Sequence, residues 1–229
     1  MRRFLVTVSA LFICILAFCQ EEPDVIGEMN DDFAEMKLFT ESESYKSVHM
    51  IGAKYSYHLA TASCTPDIGT GYMTSDRNFS VMYTYYNSMW STLPYFGLTT
   101  GLKLGTEGFT SSKTSYGFSY EILEMPVISE FHIDFSHFRV LAGIGGYFGY
   151  KTKTDKPDGF DEYDIRYDYG LEAEAGFAVV FKPFELQIKG EYKYSLCSNF
   201  HTNKFSDIYW MFCYPRTIML SCGHYFHLW

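Results

Sequence analysis

From His49 onward, apolar and polar residues alternate with a period of two. Ile51, Ala53, Tyr55, Tyr57 and Leu59 alternate with Gly52, Lys54, Ser56 and His58. Phe79, Val81, Tyr83 and Tyr85 alternate with Asn78, Ser80, Met82 and Thr84. Phe96, Leu98, Leu102 and Leu104 do so with Gly97, Thr99, Gly101, Lys103 and Gly105. Leu123, Met125, Val127 and Phe131 oppose Glu124, Pro126, Ile128 and Glu130, and Phe138 to Tyr150 repeats the pattern against Arg139, Gly143, Gly145 and Lys151. Three more stretches, around Tyr167–Val179, Phe184–Tyr194 and Ile218–Phe226, bring the number of predicted strands to eight. Side chains along a strand point alternately to opposite faces, so each strand has one apolar and one polar face.

Each stretch is long enough to cross a bilayer at a tilt, which takes roughly 9–11 residues. The connections alternate as well. Thr61–Asp76, Thr106–Gly117, Thr152–Ile165 and Cys197–Pro215 read as long polar loops, and Asn87–Pro94, His132–His137 and Phe181–Pro183 as short turns. Long and short in alternation is the signature of an up-and-down barrel with loops at one rim and turns at the other. The expected fold is all-β, an eight-stranded antiparallel up-and-down transmembrane β-barrel with a polar, filled lumen.

Alternation alone does not say which face is inside. A soluble lipocalin-like barrel or sandwich would turn the apolar face inward, putting Tyr55, Leu171 and Ile188 at its centre. Three features favour the opposite. The polar face is crowded with glycines, as the tight interior of a narrow barrel requires. It carries both signs of charge at close spacing, which can pair across a lumen. Tyr and Phe gather towards strand ends, as at membrane interfaces. The lumen set is Lys54, Lys103, Glu124, Glu130, Arg139, Arg166, Glu172, Glu174, Glu185, Lys189, Glu191 and Lys193, with His58 and Asp168 on the same face. Eight strands leave an interior just wide enough for side chains, so these groups are expected to form an ion-paired filling rather than a pore or an acid–base pair.

Composition adds a compartment. Met1-Arg2-Arg3 followed by the apolar run Phe4–Phe18 is laid out as a secretory signal peptide over residues 1–19. Residues 20–45 carry nine acids against Lys37 alone, a self-repelling segment expected to be flexible and periplasmic, ahead of a barrel over 46–229. The balance of 18 basic to 27 acidic side chains argues against nucleic acid as a partner.

The stretch Leu123-Glu-Met-Pro-Val-Ile-Ser-Glu-Phe131, followed by Phe138-Arg-Val-Leu-Ala-Gly-Ile-Gly-Gly-Tyr-Phe-Gly-Tyr150, resembles the outer-membrane β-barrel families abundant in Bacteroidetes, the PorT-like group among them. Arg216 to Phe226 is similar to their closing strand. The resemblance implies that the barrel-insertion machinery reads a terminal aromatic, here Phe226 or Trp229. It also implies both termini in the periplasm, contact with outer-membrane lipid, and a role in protein secretion through a periplasmic or secretion partner.

No motif for a catalytic residue, a cofactor or a metal emerges. Cys197 and Cys213 bracket the longest loop and are a plausible disulfide after export. Asp155–Asp164 holds five acids without the spacing of a calcium loop. A lipid-modifying outer-membrane enzyme is the catalytic alternative, with His58, Ser75 and Asp76 near the outer rim, although His58 should point inward. The expectation is a non-enzymatic barrel with a structural, binding or secretion-associated role.

Overall fold

The computed structural model describes residues 47–87, 95–111, 117–135, 137–204 and 210–228. The signal peptide, the acidic segment 20–45 and Trp229 lie outside the described residues. Eight strands follow one another: β1 (Val48–Thr65), β2 (Thr70–Asn87), β3 (Tyr95–Ser111), β4 (Phe118–Phe135), β5 (Phe138–Thr154), β6 (Tyr167–Phe181), β7 (Phe184–Ser195) and β8 (Phe212–His227). Each pairs antiparallel with its neighbours in sequence, and β8 pairs with β1, closing the barrel. No helix occurs among the described residues.

The wall is sheared. Register partners followed from Met50 pass through Thr84, Thr99, Ile128, Gly145, Glu172, Lys193 and Thr217, and return to β1 at Ala60, ten residues further on. With a rise of about 3.3 Å per residue and strands about 4.8 Å apart, that shear sets a tilt of about 40° and a backbone radius of about 8 Å. The bore has room for side chains and little else.

Outward positions carry the apolar residues. Leu102, Ile144, Leu171 and Leu220 are each at least half exposed. Tyr57, Tyr150, Tyr167, Tyr169 and Tyr192 ring this surface towards the loop end; Phe131, Phe135, Phe138, Phe181, Phe184 and Phe226 ring it at the turn end. Tilted strands gain roughly 2.5 Å of height per residue, so outward runs such as Ile51–Leu59 and Leu123–Phe135 make a band roughly 20–30 Å tall. Tyr55, Leu171 and Ile188 all lie on the outer face, opposite to what a soluble ligand-carrying barrel requires.

Two expected loops are wall instead. β1 continues to Thr65 and β2 begins at Thr70, so only Pro66–Gly69 connect them, and β3 continues to Ser111. The reading by an apolar outward face lost these segments because the faces exchange polarity there. Thr61 and Ser63 of β1 and Thr70 and Thr74 of β2 point outward, while Ala62, Phe109, Phe118, Tyr120 and Ile122 point inward and are buried. The strands outrun the apolar band and form a short second storey built as a water-soluble barrel is built.

Candidate functional site

The lumen is a continuous ion-paired column whose members come from alternate positions of seven strands. Lys54, Lys103, Glu124, Glu130, Arg139, Glu172, Glu174, Glu185, Lys189, Glu191 and Lys193 all face inward, none more than 7% exposed. A water-filled bore would leave them wet. At the turn end, Arg139 donates to Glu185 (2.9 Å) and Asp134 (2.6 Å), and His227 Nε2 lies 3.0 Å from Glu185. Above it, Lys189 bridges Glu130 and Glu174, the latter at 2.8 Å, and Tyr86 donates its hydroxyl to Glu130. Next, Lys54 donates to Glu191 (2.6 Å), and Lys103 bridges Glu191 (3.0 Å) and Glu172. Lys193 then bridges Glu107 and Glu124, while Ser195 donates to Asp168. The attraction of these charges offsets their desolvation because each lysine ammonium is paired with at least one carboxylate, although Glu107 Oε2, Glu172 Oε2 and Glu174 Oε2 are buried with no hydrogen-bond partner.

The sequence reading differs from this column in three places. Glu107 is a full member although it was placed in a loop; it keeps the inward parity of Lys103 and Gly105, which is the signal that finds it. Lys151, on the inward face of β5, is buried and donates to Asn199 (2.8 Å). Arg166, expected in the lumen, is not there. It precedes β6 and is exposed, its guanidinium 4.8 Å above Tyr150 and 5.1 Å from the ring centre of Phe160. Lys151 stands opposite, donating its backbone N–H to the Arg166 carbonyl (2.6 Å). Two cations side by side in the bore would repel, and Arg166 turns out to stack on aromatic faces instead.

Two groups of carboxylates, Glu107/Glu124/Asp168 and Glu172/Glu174/Glu191, converge closely enough to hold a metal ion. Lysine ammonium groups already stand among both: Lys193 in the first, and Lys54, Lys103 and Lys189 in the second. His58 points into the lumen, its Nδ1 3.9 Å from Glu107, whereas Asp76 points outward. The residues considered for lipid chemistry therefore do not converge on one face.

Both ends of the column are closed. At the turn end, Met50, Met82, Tyr86 and Tyr225 pack together, with the rings of Tyr225 and Tyr86 lying across Gly52 and Gly97, where a Cβ would sit within 2.4 Å and 2.3 Å of ring carbons. At the loop end, Ala62, Phe109, Phe118, Tyr120, Ile122, Phe200, Met211 and Cys213 form an apolar plug. Phe200 comes from the β7–β8 loop, which folds over the mouth and bridges to Asp164 of the β5–β6 loop. Lys156 donates to Asp164 (2.7 Å), and Lys204 joins Asp161 (2.8 Å) and Asp164. The acidic loop is thus pinned by lysines. Burial works the other way, but the Lys204 hydrogen bond and charge, helped by Lys156, hold the Asp161 carboxyl below its ordinary range.

The disulfide joins Cys64 to Cys213, not Cys197 to Cys213. Cys64 and Cys213 are directly opposed partners of β1 and β8, an adjacency created only by barrel closure. Cys197 is a buried free thiol, held above its ordinary pKa by burial and then by the Asp168 charge. Cys222 is free on the outer face, and Phe226 is exposed beside it on the same strand face.

No family model and no curated protein matches this chain. Among solved structures, it is similar to the Neisserial surface protein A (TM-score 0.48, 15% identity, 79% of this chain and 98% of that one). It is also similar to the outer membrane protein OprG of Pseudomonas aeruginosa (TM-score 0.45, 11% identity, 80% and 98%). A third is Ail, the attachment invasion locus protein of Yersinia pestis (TM-score 0.40, 17% identity, 80% and 100%).

Proposed function

We propose that this chain is a non-enzymatic bacterial outer-membrane barrel that does not conduct, and that it acts through the stapled cap it presents outside the bilayer. One observation carries the reading: the closed wall turns its aliphatic and aromatic residues outward in a band of bilayer height while its ionised groups are paired and dry inside. An apolar surface of that extent is costly in water and natural in lipid. The Cys64–Cys213 disulfide supports an oxidising compartment outside the cytoplasm. With the bore filled and both ends plugged, the barrel serves as a rigid anchor for the cap, in a structural or binding role.

The test is fractionation followed by gel mobility with and without boiling, then planar-bilayer recording. The expected outcome is recovery in the outer membrane, a heat-modifiable band and no single-channel steps. A soluble, heat-insensitive product refutes the barrel-in-membrane reading, and discrete conductance refutes the sealed lumen. The secretion-associated role implied by the PorT-like motifs is the narrower reading within the same class. Unchanged secretion in a deletion strain removes that role and leaves the anchor reading intact.

A further inference from the structure

The outer wall has a polar recess where β8, β1 and β2 leave the apolar band. Along these strands the outward residues change from Leu59 to Thr61 and Ser63, and from Ile218 to Arg216. The recess measures about 400 Å³ and is lined by Thr61, Ser63, Asp67, Thr70, Tyr72 and Arg216. That lies within the roughly 300–1,000 Å³ of small-ligand sites. The ladder sets these groups in a row: Tyr194 pairs with Arg216, Arg216 pairs with Thr61, and the Thr61 hydroxyl donates to the carbonyl of Gly71, next to Tyr72.

Arg216 is the feature that calls for a ligand. Its guanidinium stacks on Tyr194, 5.2 Å from the ring centre. Its Nε is shielded from solvent and has no hydrogen-bond partner. No carboxylate among the described residues forms an ion pair with it, whereas Arg139 in the lumen is held by Asp134 and Glu185. Arg216 is only partly buried, and a part-buried cation with an idle donor and no carboxylate partner suits an anion, while a planar guanidinium suits phosphate oxygens. The other walls specify more than phosphate. The Ser63 and Thr70 hydroxyls can donate or accept and that of Thr61 can accept, the 64%-exposed Tyr72 ring offers a flat apolar face, and the Asp67 carboxylate, which accepts the Gly69 N–H at 2.8 Å, gives one edge a negative charge. A bare anion would be repelled by Asp67; a sugar carrying a phosphate uses both ends of the recess.

We infer that this recess binds the phosphorylated sugar headgroup of a lipid in the cap-side leaflet. The lipid half of the inference rests on the membrane reading above, because only then does the recess stand at headgroup height.

The test uses the full mature chain in detergent micelles, titrated with lipid A as a phosphorylated glucosamine lipid and with phosphatidylcholine as control. Glucosamine 1-phosphate in aqueous buffer serves as the lipid-free probe. The expected result is saturable binding of lipid A, weakened tenfold or more by Arg216→Gln and less by Arg216→Lys. Arg77→Gln, on the same wall but outside the recess, should leave it unchanged. Equal affinity in Arg216→Gln, or equal weakening by Arg77→Gln, overturns the site. Displacement of lipid A by inorganic phosphate as readily as by glucosamine 1-phosphate overturns the sugar assignment. If the chain never enters micelles the membrane reading fails, while Arg216-dependent binding of glucosamine 1-phosphate would still uphold the recess.

Discussion

The band and the cap are built on the same strands with opposite chemistry. In the band, Lys103, Glu124 and Lys193 point inward and Leu102, Leu123 and Tyr192 outward. A few residues further along β1, β3 and β4, Ala62, Phe109, Phe118 and Tyr120 point inward, while hydroxyls take the outer face of β1 and β2. The same strands run on through both storeys, with register shifts between Ser56 and His58, Tyr72 and Phe79, and Glu121 and Ile122 near the change. What changes is the side chain each face carries and, on the membrane reading proposed above, the medium outside, hydrocarbon in one and water in the other. The energetics differ accordingly. The band interior depends on charge matching, which is severe when one partner is lost. The cap interior depends on apolar burial and on one covalent seam.

Four experiments test this contrast. The largest effect is expected in the band. Lys193→Met strands Glu107 and Glu124 without their ammonium and should cost about 3–5 kcal/mol in denaturant unfolding. Replacing Glu107, Glu124 and Lys193 together by apolar residues of similar volume should recover most of that loss. A single Lys193→Met within experimental error of wild type would mean the column is not stabilised by charge matching.

Next comes the seam. Cys64→Ser with Cys213→Ser should cost about 2–5 kcal/mol, because the bond closes a loop of 149 residues between the first and last strands. The loss should register as earlier hydrogen exchange in the cap than in the band; uniform loosening of both would deny their independence.

The third effect is a pH dependence of the loop clamp. The folded Asp161 carboxyl lies below its unfolded value, so its contribution is present at neutral pH and is lost as pH falls below the ordinary 3.8. For Lys204, burial pulls the pKa down but the hydrogen bonds it donates to Asp161 and Asp164 raise it overall, so its contribution persists until strongly alkaline pH. The protection of amides in residues 155–166 and 196–204, taken relative to their intrinsic exchange rates, should therefore fall as pH drops from about 4 through the folded Asp161 pKa; protection unchanged down to about pH 1 would show that the clamp does not hold the loops. The smallest effect belongs to the wall. Glu121→Gln removes a solvent-exposed pair with Lys153 (3.2 Å) and should shift stability by no more than about 0.5 kcal/mol.

Glu107 and Arg166 show where legibility stops. Glu107 shares the inward parity of Lys103 but sits where the outer face has lost its apolar residues, so the strand seemed to end before it. Arg166 has inward parity too, yet Lys151 opposite takes the space, and which cation is admitted is a pairwise matter between strands. The acidic loop reads as solvated from its charge, since Lys204, one of the two lysines that pin it, is some forty positions away; the other, Lys156, lies within the loop.

Strand number, period and which side chains share a face are local properties, set by the two-residue repeat of an extended backbone, and the chain carries them in plain view. Partner choice is not local. That Lys103 meets Glu172 and Glu191, that Cys64 meets Cys213 rather than Cys197, and that Arg216 is left between Tyr194 and Thr61 all follow from the ten-residue shear at closure. Shear belongs to the closed cylinder, because only when β8 returns to β1 is the height of every residue relative to every other determined.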